Sequence, residues 1–166
     1  LRDLPEESPP ELEGVRRDEA HAIVAECLAA GGGWLGPEET FRLLDCYGIP
    51  LAPWRIAHTP AEAAAAAAEL GSAVALKAAG RNLLHKTEAD AIRLGLSGPE
   101  VAAAAAELIE RLQPDVLLVQ SMIPAGVEMI VGMVSDPVFG PVVACGAGGV
   151  AVELLNDVSV RLSPLT

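Results

Sequence analysis

Aromatic side chains make up only 3% of the 166 residues. A core cannot be built on ring packing here, so close approach through alanine must do much of that work. Cysteine is scarce as well. Cys27, Cys46 and Cys145 stand far apart with no metal-ligand spacing, which excludes a disulfide framework and suits a reducing, cytoplasmic setting. Basic residues number 11 against 23 acidic ones, for a net charge of −12. Phosphate backbones are gripped by clustered Lys and Arg, so nucleic acid is excluded as a partner. No uncharged apolar run is long enough to span a bilayer, and the acidic, proline-rich start has none of the features of a secretory signal. Neither an HExxH zinc motif, a Ser-His-Asp constellation, a Gly-Lys-Ser/Thr phosphate loop nor the GxGxxG dinucleotide fingerprint is present.

What is present reads as alternating helices and strands. Leu1 to Gly14 is a proline- and acid-rich linker, and a first residue of Leu reads as an internal or processed start. Helices are expected over Arg17–Ala30, from Pro37 to Tyr47, over Ala61–Leu70 and over Val101–Leu112. Thr59-Pro60 supplies an N-cap and first-turn pair for the third. Strands are expected over Trp54–His58, Val74–Lys77, Ala91–Leu96, Asp115–Ile123, Val127–Val134, Pro141–Ala144 and Val150–Leu155. The succession has the rhythm of an α/β fold. Pro124-Ala125-Gly126 reads as the turn of a hairpin joining the fourth expected strand, DVLLVQSMI, to VEMIVGMV. His21 and His58 read as structural or loop residues.

The stretch Val74 to Leu96 carries the chemistry. Lys77 interrupts an apolar strand, which is costly unless the ammonium meets an anion. The connection that follows holds Gly80, Arg81, Asn82, His85, Lys86, Thr87, Glu88 and Asp90. It reads either as a phosphate site with a titratable nucleophile or as a solvated loop with a snorkelling lysine. The Gly146-Ala147-Gly148-Gly149 run is likewise either an anion-binding turn or tight turn geometry alone.

Taken in order, LLDCYGIP, VALK, LLHKTEADAIRLGL, VLLVQSMI, GVEMIVGMVSDPVFGPVV and GAGGVAVELLNDVSVRLSPL resemble the ATP-grasp domain of NDP-forming acyl-CoA synthetases. These include ADP-forming acetyl-CoA synthetase and are relatives of the succinyl-CoA synthetase β subunit. The resemblance runs from Phe41 to Leu165. It implies an α/β (α+β) ATP-grasp fold over residues 36–166, with residues 15–35 as a helical lead-in from a preceding CoA-ligase-like region. It implies ATP or ADP with Mg2+ as cofactors and CoA-binding and CoA-ligase domains as partners. An acetyltransferase domain is a further implied partner, because the same assembly occurs in Pat-type protein lysine acetyltransferases.

By the same resemblance, Lys77 and Lys86 contact phosphates, and His85 takes part in phosphoryl relay. Gln120, Met122 and Ile123 form the adenine hinge, and Glu128 lies near the ribose. Gly146, Gly148 and Gly149 offer amides to an anion, and Glu153 and Asp157 match acidic positions. The family's magnesium-ligand segment would lie beyond Thr166, so no metal ligand is expected within these residues. Where the family reads HK-S/T-D/E-x-Gly-Gly-Val, this chain has Asp90-Ala91 in place of the two glycines. That departure opens a second reading, a non-catalytic regulatory module.

Overall fold

The computed structural model describes residues 13–80, 83, 91–149 and 158–162. They form two compact units, one from Glu13 to Ile123 and one from Pro124 onward.

In the first unit, helices α1 (Arg17–Ala29) and α2 (Pro37–Cys46) enclose a small core of Ala20, Ile23 and Cys46, flanked by Leu35 and Leu43. Arg16 ties the start of α1 to the end of α2. Its guanidinium meets Glu19 at 2.9 Å and Asp45 at 2.7 Å, and its amide donates to the carbonyl of Cys46 at 2.9 Å. The main body then follows as β1 (Trp54–Ala57), α3 (Pro60–Leu70), β2 (Val74–Ala79), β3 (Ile92–Leu96), α4 (Pro99–Leu112) and β4 (Val116–Ser121).

Helix α3 starts and stops where its sequence dictates. The Thr59 hydroxyl accepts from the Glu62 amide at 3.2 Å, and the Glu62 carboxylate reaches back to the His58 amide at 2.7 Å. Together they satisfy two otherwise orphaned donors. Gly71 closes the helix in the left-handed region at φ 66°.

The four strands lie in the order β1-β4-β2-β3, and every registered pair is antiparallel. Both strand–helix–strand connections step over a neighbour, so the expected α/β rhythm resolves into an α+β sheet. Alternation along the strands separates two faces. Ala57, Val74, Leu76, Ala78, Leu117 and Val119 face α3 and α4 and join Ala63, Ala66, Ala67, Val101, Ala105 and Leu108 in one core. Alanines on α3 bring the helix backbone close to the sheet, as the shortage of aromatics requires.

The second unit contains β5 (Met129–Asp136), β6 (Gly140–Ala147) and β7 (Val158–Leu162), an antiparallel meander. The expected hairpin between DVLLVQSMI and VEMIVGMV is therefore corrected. Strand β4 already has β1 on one side and β2 on the other, which leaves it no free edge, and β5 pairs with β6 instead. The turn from β5 to β6 is built by Asp136, whose carboxylate accepts from the amides of Val138 at 2.8 Å and Phe139 at 2.9 Å. The strand expected over Val150–Leu155 and the linker residues up to Leu12 lie outside the described residues.

Two outcomes follow from these contacts. Ala63 is fully buried, so Ala63→Leu should overpack the helix–sheet core and lower stability by about 1–3 kcal/mol, read by urea denaturation. A cost near zero would mean that α3 does not sit this close to the sheet. The second outcome concerns acid. Hydrogen bonds from the Phe139 and Val138 amides hold the Asp136 carboxyl below the usual carboxylate range. Its contribution is therefore complete above that range and is lost as pH falls through the lowered folded value. The Val138 and Phe139 amide resonances should titrate below the ordinary Asp range, and Asp136→Ala should abolish that step.

Candidate functional site

The face of the first sheet turned away from α3 and α4 carries Trp54 and Ile56 from β1, Leu118 and Gln120 from β4, and Ala75 and Lys77 from β2. The cross-strand register fixes this set: Gln120 stands opposite both Trp54 and Ala75, and Leu118 opposite Ile56 and Lys77. On β3, Ile92 stands opposite Lys77. Ala75 and Leu118 are each 5% exposed, so the centre of this face is an apolar floor.

Lys77 and Gln120 are the polar pair set into that floor. The Lys77 ammonium donates to Oε1 of Gln120 at 3.0 Å, and both side chains are partly buried. Among the described residues no carboxylate pairs with Lys77. A partly dehydrated cation whose partner is a neutral amide retains its full charge and most of its attraction for an anion. The sequence anticipated both residues, and the fold brings them into contact although 43 positions separate them.

The end of β4 runs into Met122 and Ile123. The amide of Ser121 donates to the Pro53 carbonyl at 2.8 Å and that of Met122 to the Ala73 carbonyl at 2.9 Å. The Met122 amide is thus already committed. Met122 and Ile123 are 40% and 69% exposed, which presents an apolar lip beside the floor.

Of the residues between β2 and β3, Gly80, Leu83 and Ala91 are described. Gly80 lies so close to Asp115 that a Cβ there would stand 2.9 Å from the Asp115 amide nitrogen. The Leu83 amide donates to the Gly80 carbonyl at 3.0 Å, and its side chain is buried in the helix-side core. At the far end, Ala91 packs against that same core. The methyl that replaces the family's second glycine therefore serves the side opposite Lys77. His85, Lys86 and Asp90 lie outside the described residues, as do Glu153 and Asp157.

In the second unit the structure brings Glu128, Gly148 and Gly149 together. The Gly148 amide donates to the Glu128 carbonyl at 2.8 Å. A Cβ on Gly148 would lie 3.2 Å from the backbone of Glu128 and Met129. Gly149 adopts φ +73°, and a Cβ there would collide with the Glu128 carboxylate. Glycine is favoured at 148 by the close backbone of Glu128 and Met129, and at 149 by its left-handed φ. Gly146 stands within β6, between Ile130 and Val158. Among the described residues no group of three His, Cys, Asp or Glu side chains is gathered tightly enough to hold a metal ion.

Trp54, Ala75 and Leu118 were not singled out from sequence. Their membership of the Lys77 face depends on which strands pair and in what register, and neither is written in any local pattern. The one available signal was a tryptophan at the head of a strand in a chain with two tryptophans.

Residues 26–166 match the family model described as ATP-grasp domain. Among the relatives, the acetate–CoA ligase [ADP-forming] I of Archaeoglobus fulgidus is 36% identical over 159 residues, covering 92% of this chain and 23% of its own length. The β subunit of acetate–CoA ligase [ADP-forming] I from Pyrococcus furiosus is 34% identical over 155 residues, covering 89% of this chain and 66% of its own. A solved structure of the dinucleotide-forming acetyl-coenzyme A synthetase 1 of Candidatus Korarchaeum cryptofilum, in complex with coenzyme A and Ca-AMPCP, superposes with a TM-score of 0.81. That protein is 34% identical, and the match covers 89% of this chain and 68% of the other. The chain thus spans about a quarter of the first of these relatives and about two thirds of the other two.

The polar pair makes its own prediction. In a double-mutant cycle of Lys77→Met and Gln120→Leu, followed by urea denaturation, the coupling should be about 0.5–1.5 kcal/mol. Lys77→Met alone should leave stability unchanged or raise it, because it removes a partly buried charge. A coupling indistinguishable from zero would dissolve the pair.

Proposed function

The chain belongs to the ATP-grasp family, and we propose that it is the nucleotide-binding region of an ADP-forming acyl-CoA ligase. The observation that carries this reading is the Lys77 ammonium, partly buried on an apolar sheet face and, among the described residues, bonded to the neutral Gln120 carboxamide. A nucleoside di- or triphosphate answers both halves of that surface. Its body runs along the apolar floor formed by Ala75 and Leu118, and its phosphates take the cation.

Each group then has a task. Lys77 neutralises phosphate charge, and Gln120 aims the ammonium. Because the Met122 amide is committed to Ala73, hydrogen bonds to the base edge fall to Ile123 and to the carbonyls beside it. Lys86 adds charge next to His85. Glu128 contacts the ribose hydroxyls as an acceptor. The Gly148–Gly149 corner lies against this residue, and its amides are the proposed anion donors together with Gly146.

His85 acts as phosphoryl carrier. An imidazole nitrogen forms a bond to the terminal phosphorus of ATP as the bond to the bridging oxygen breaks, and ADP leaves. An acyl carboxylate then takes the phosphoryl group from nitrogen, and the thiolate of CoA displaces phosphate to give acyl-CoA. Positioning and charge neutralisation dominate such transfers. Magnesium would add to this neutralisation when bound with the nucleotide; among the described residues no group of three His, Cys, Asp or Glu side chains is gathered to hold it. The acyl substrate and the CoA-binding and CoA-ligase partner domains belong to this proposal, as does a cytoplasmic location.

The regulatory reading drew on Asp90-Ala91. Ala91 packs into the helix-side core, so its methyl does not obstruct the Lys77 face, and the named relatives are ligases. Both facts favour the catalytic type of domain.

Isothermal titration calorimetry on the complete protein, with magnesium present, should show ATP and ADP binding that Lys77→Met weakens at least tenfold. His85→Asn should keep ATP affinity within about twofold while abolishing acyl-CoA formation. Absence of nucleotide binding by the unmodified protein would sink the reading.

A further inference from the structure

Trp54 is the first residue of the edge strand β1. Its place in the register is informative. It stands opposite Gln120, and directly opposed residues project to the same side of a sheet. The indole therefore shares the face that carries Gln120, Lys77, Ala75 and Leu118.

The ring is also held. Phe41, from α2, meets it edge to face with centroids 5.0 Å apart and planes at 78°, an arrangement that favours both rings. The backbone just before it is fixed too, because the Pro53 carbonyl accepts from Ser121 at the end of β4. Beside the ring opens a cleft of about 550 Å3, lined by Phe41, Arg42, Pro50, Leu51 and Trp54 among others. A braced, partly exposed indole that lines a cleft offers a stacking surface.

The spacing fits a nucleotide. Trp54 and Lys77 lie on strands separated by one neighbour, and Lys77 is two residues further along β2 than Ala75, which shares Gln120 with Trp54. Two strand spacings and two residues of rise give a separation on the order of 12 Å between the two backbone positions. That is the reach of a nucleoside triphosphate from its base to its outer phosphates.

We infer that Trp54 is a base-positioning residue: its indole, braced by Phe41, packs against the purine of the nucleotide whose phosphates Lys77 receives. This rests on the nucleotide reading above and adds a residue to it.

The test compares ligands with and without a base. In the complete protein, calorimetric titration with ATP and with inorganic tripolyphosphate is run on the parent, Trp54→Ala, Trp54→Phe and Phe41→Ala. Trp54→Ala should weaken ATP about tenfold, in line with the stacking of a base on an aromatic ring, and leave tripolyphosphate unchanged. Trp54→Phe should recover most of the loss, and Phe41→Ala should give a smaller loss in the same direction. Parental ATP affinity in Trp54→Ala overturns the inference alone. Equal losses for both ligands also overturn it, because they mark a structural role. Failure of the parent to bind ATP overturns the nucleotide reading, and the inference with it.

Discussion

An ammonium partly withdrawn from water and, among the described residues, partnered by a carboxamide is a state that a fold must hold open. Left to local energetics, Lys77 would extend into solvent or find a carboxylate. The sheet prevents the first by placing β2 inside, between β4 and β3. It discourages the second by surrounding the lysine with Leu118, Ile92 and Ala75. Gln120 satisfies one of the three donors without cancelling the charge. The helix-side core exists on the other face to keep these strands in register. A slip of one residue would turn Lys77 into that core and Leu76 out of it.

That core depends on alanine. Ala63, Ala66 and Ala67 on α3, and Ala105 on α4, present little side chain to the sheet, so helix and strand backbones approach closely and tolerate few alternatives. The same economy explains why the caps carry weight. A helix with so little large apolar surface gains more of its definition from Thr59, Glu62 and Gly71 than a leucine-rich helix would.

Much of this was legible in the sequence, and the reasons for the exceptions are physical. Helix starts and stops are encoded by neighbours, so Pro37, Thr59-Pro60 and Gly71 gave them away. Lys77 stood out because a charge in an apolar run is a local anomaly. Strand partnership is not local. Pro124-Ala125-Gly126 looks the same whether it reverses a hairpin or carries the chain from one sheet to the next, and only the occupied edges of β4 decide. The Lys77–Gln120 contact and the arrival of Trp54 on the same face depend on that non-local pairing. Gly148 and Gly149 were legible as special positions. Their reason, the Glu128 and Met129 backbone beside Gly148 and the left-handed φ of Gly149, lies in a pairing that no local pattern encodes.

The meander formed by β5, β6 and β7 has a different character from the sheet before it. Met129, Ile130, Val131, Met133 and Val134 are all more than half exposed, and because consecutive residues point to opposite sides, both faces of β5 are greasy. Surfaces of this kind, bordered by strand edges, drive proteins to stick to one another. The unit that ends at Ile123 covers one face of its sheet with two helices, whereas β5 presents apolar side chains on both of its faces, so a segment that packs against the meander would meet grease on either side.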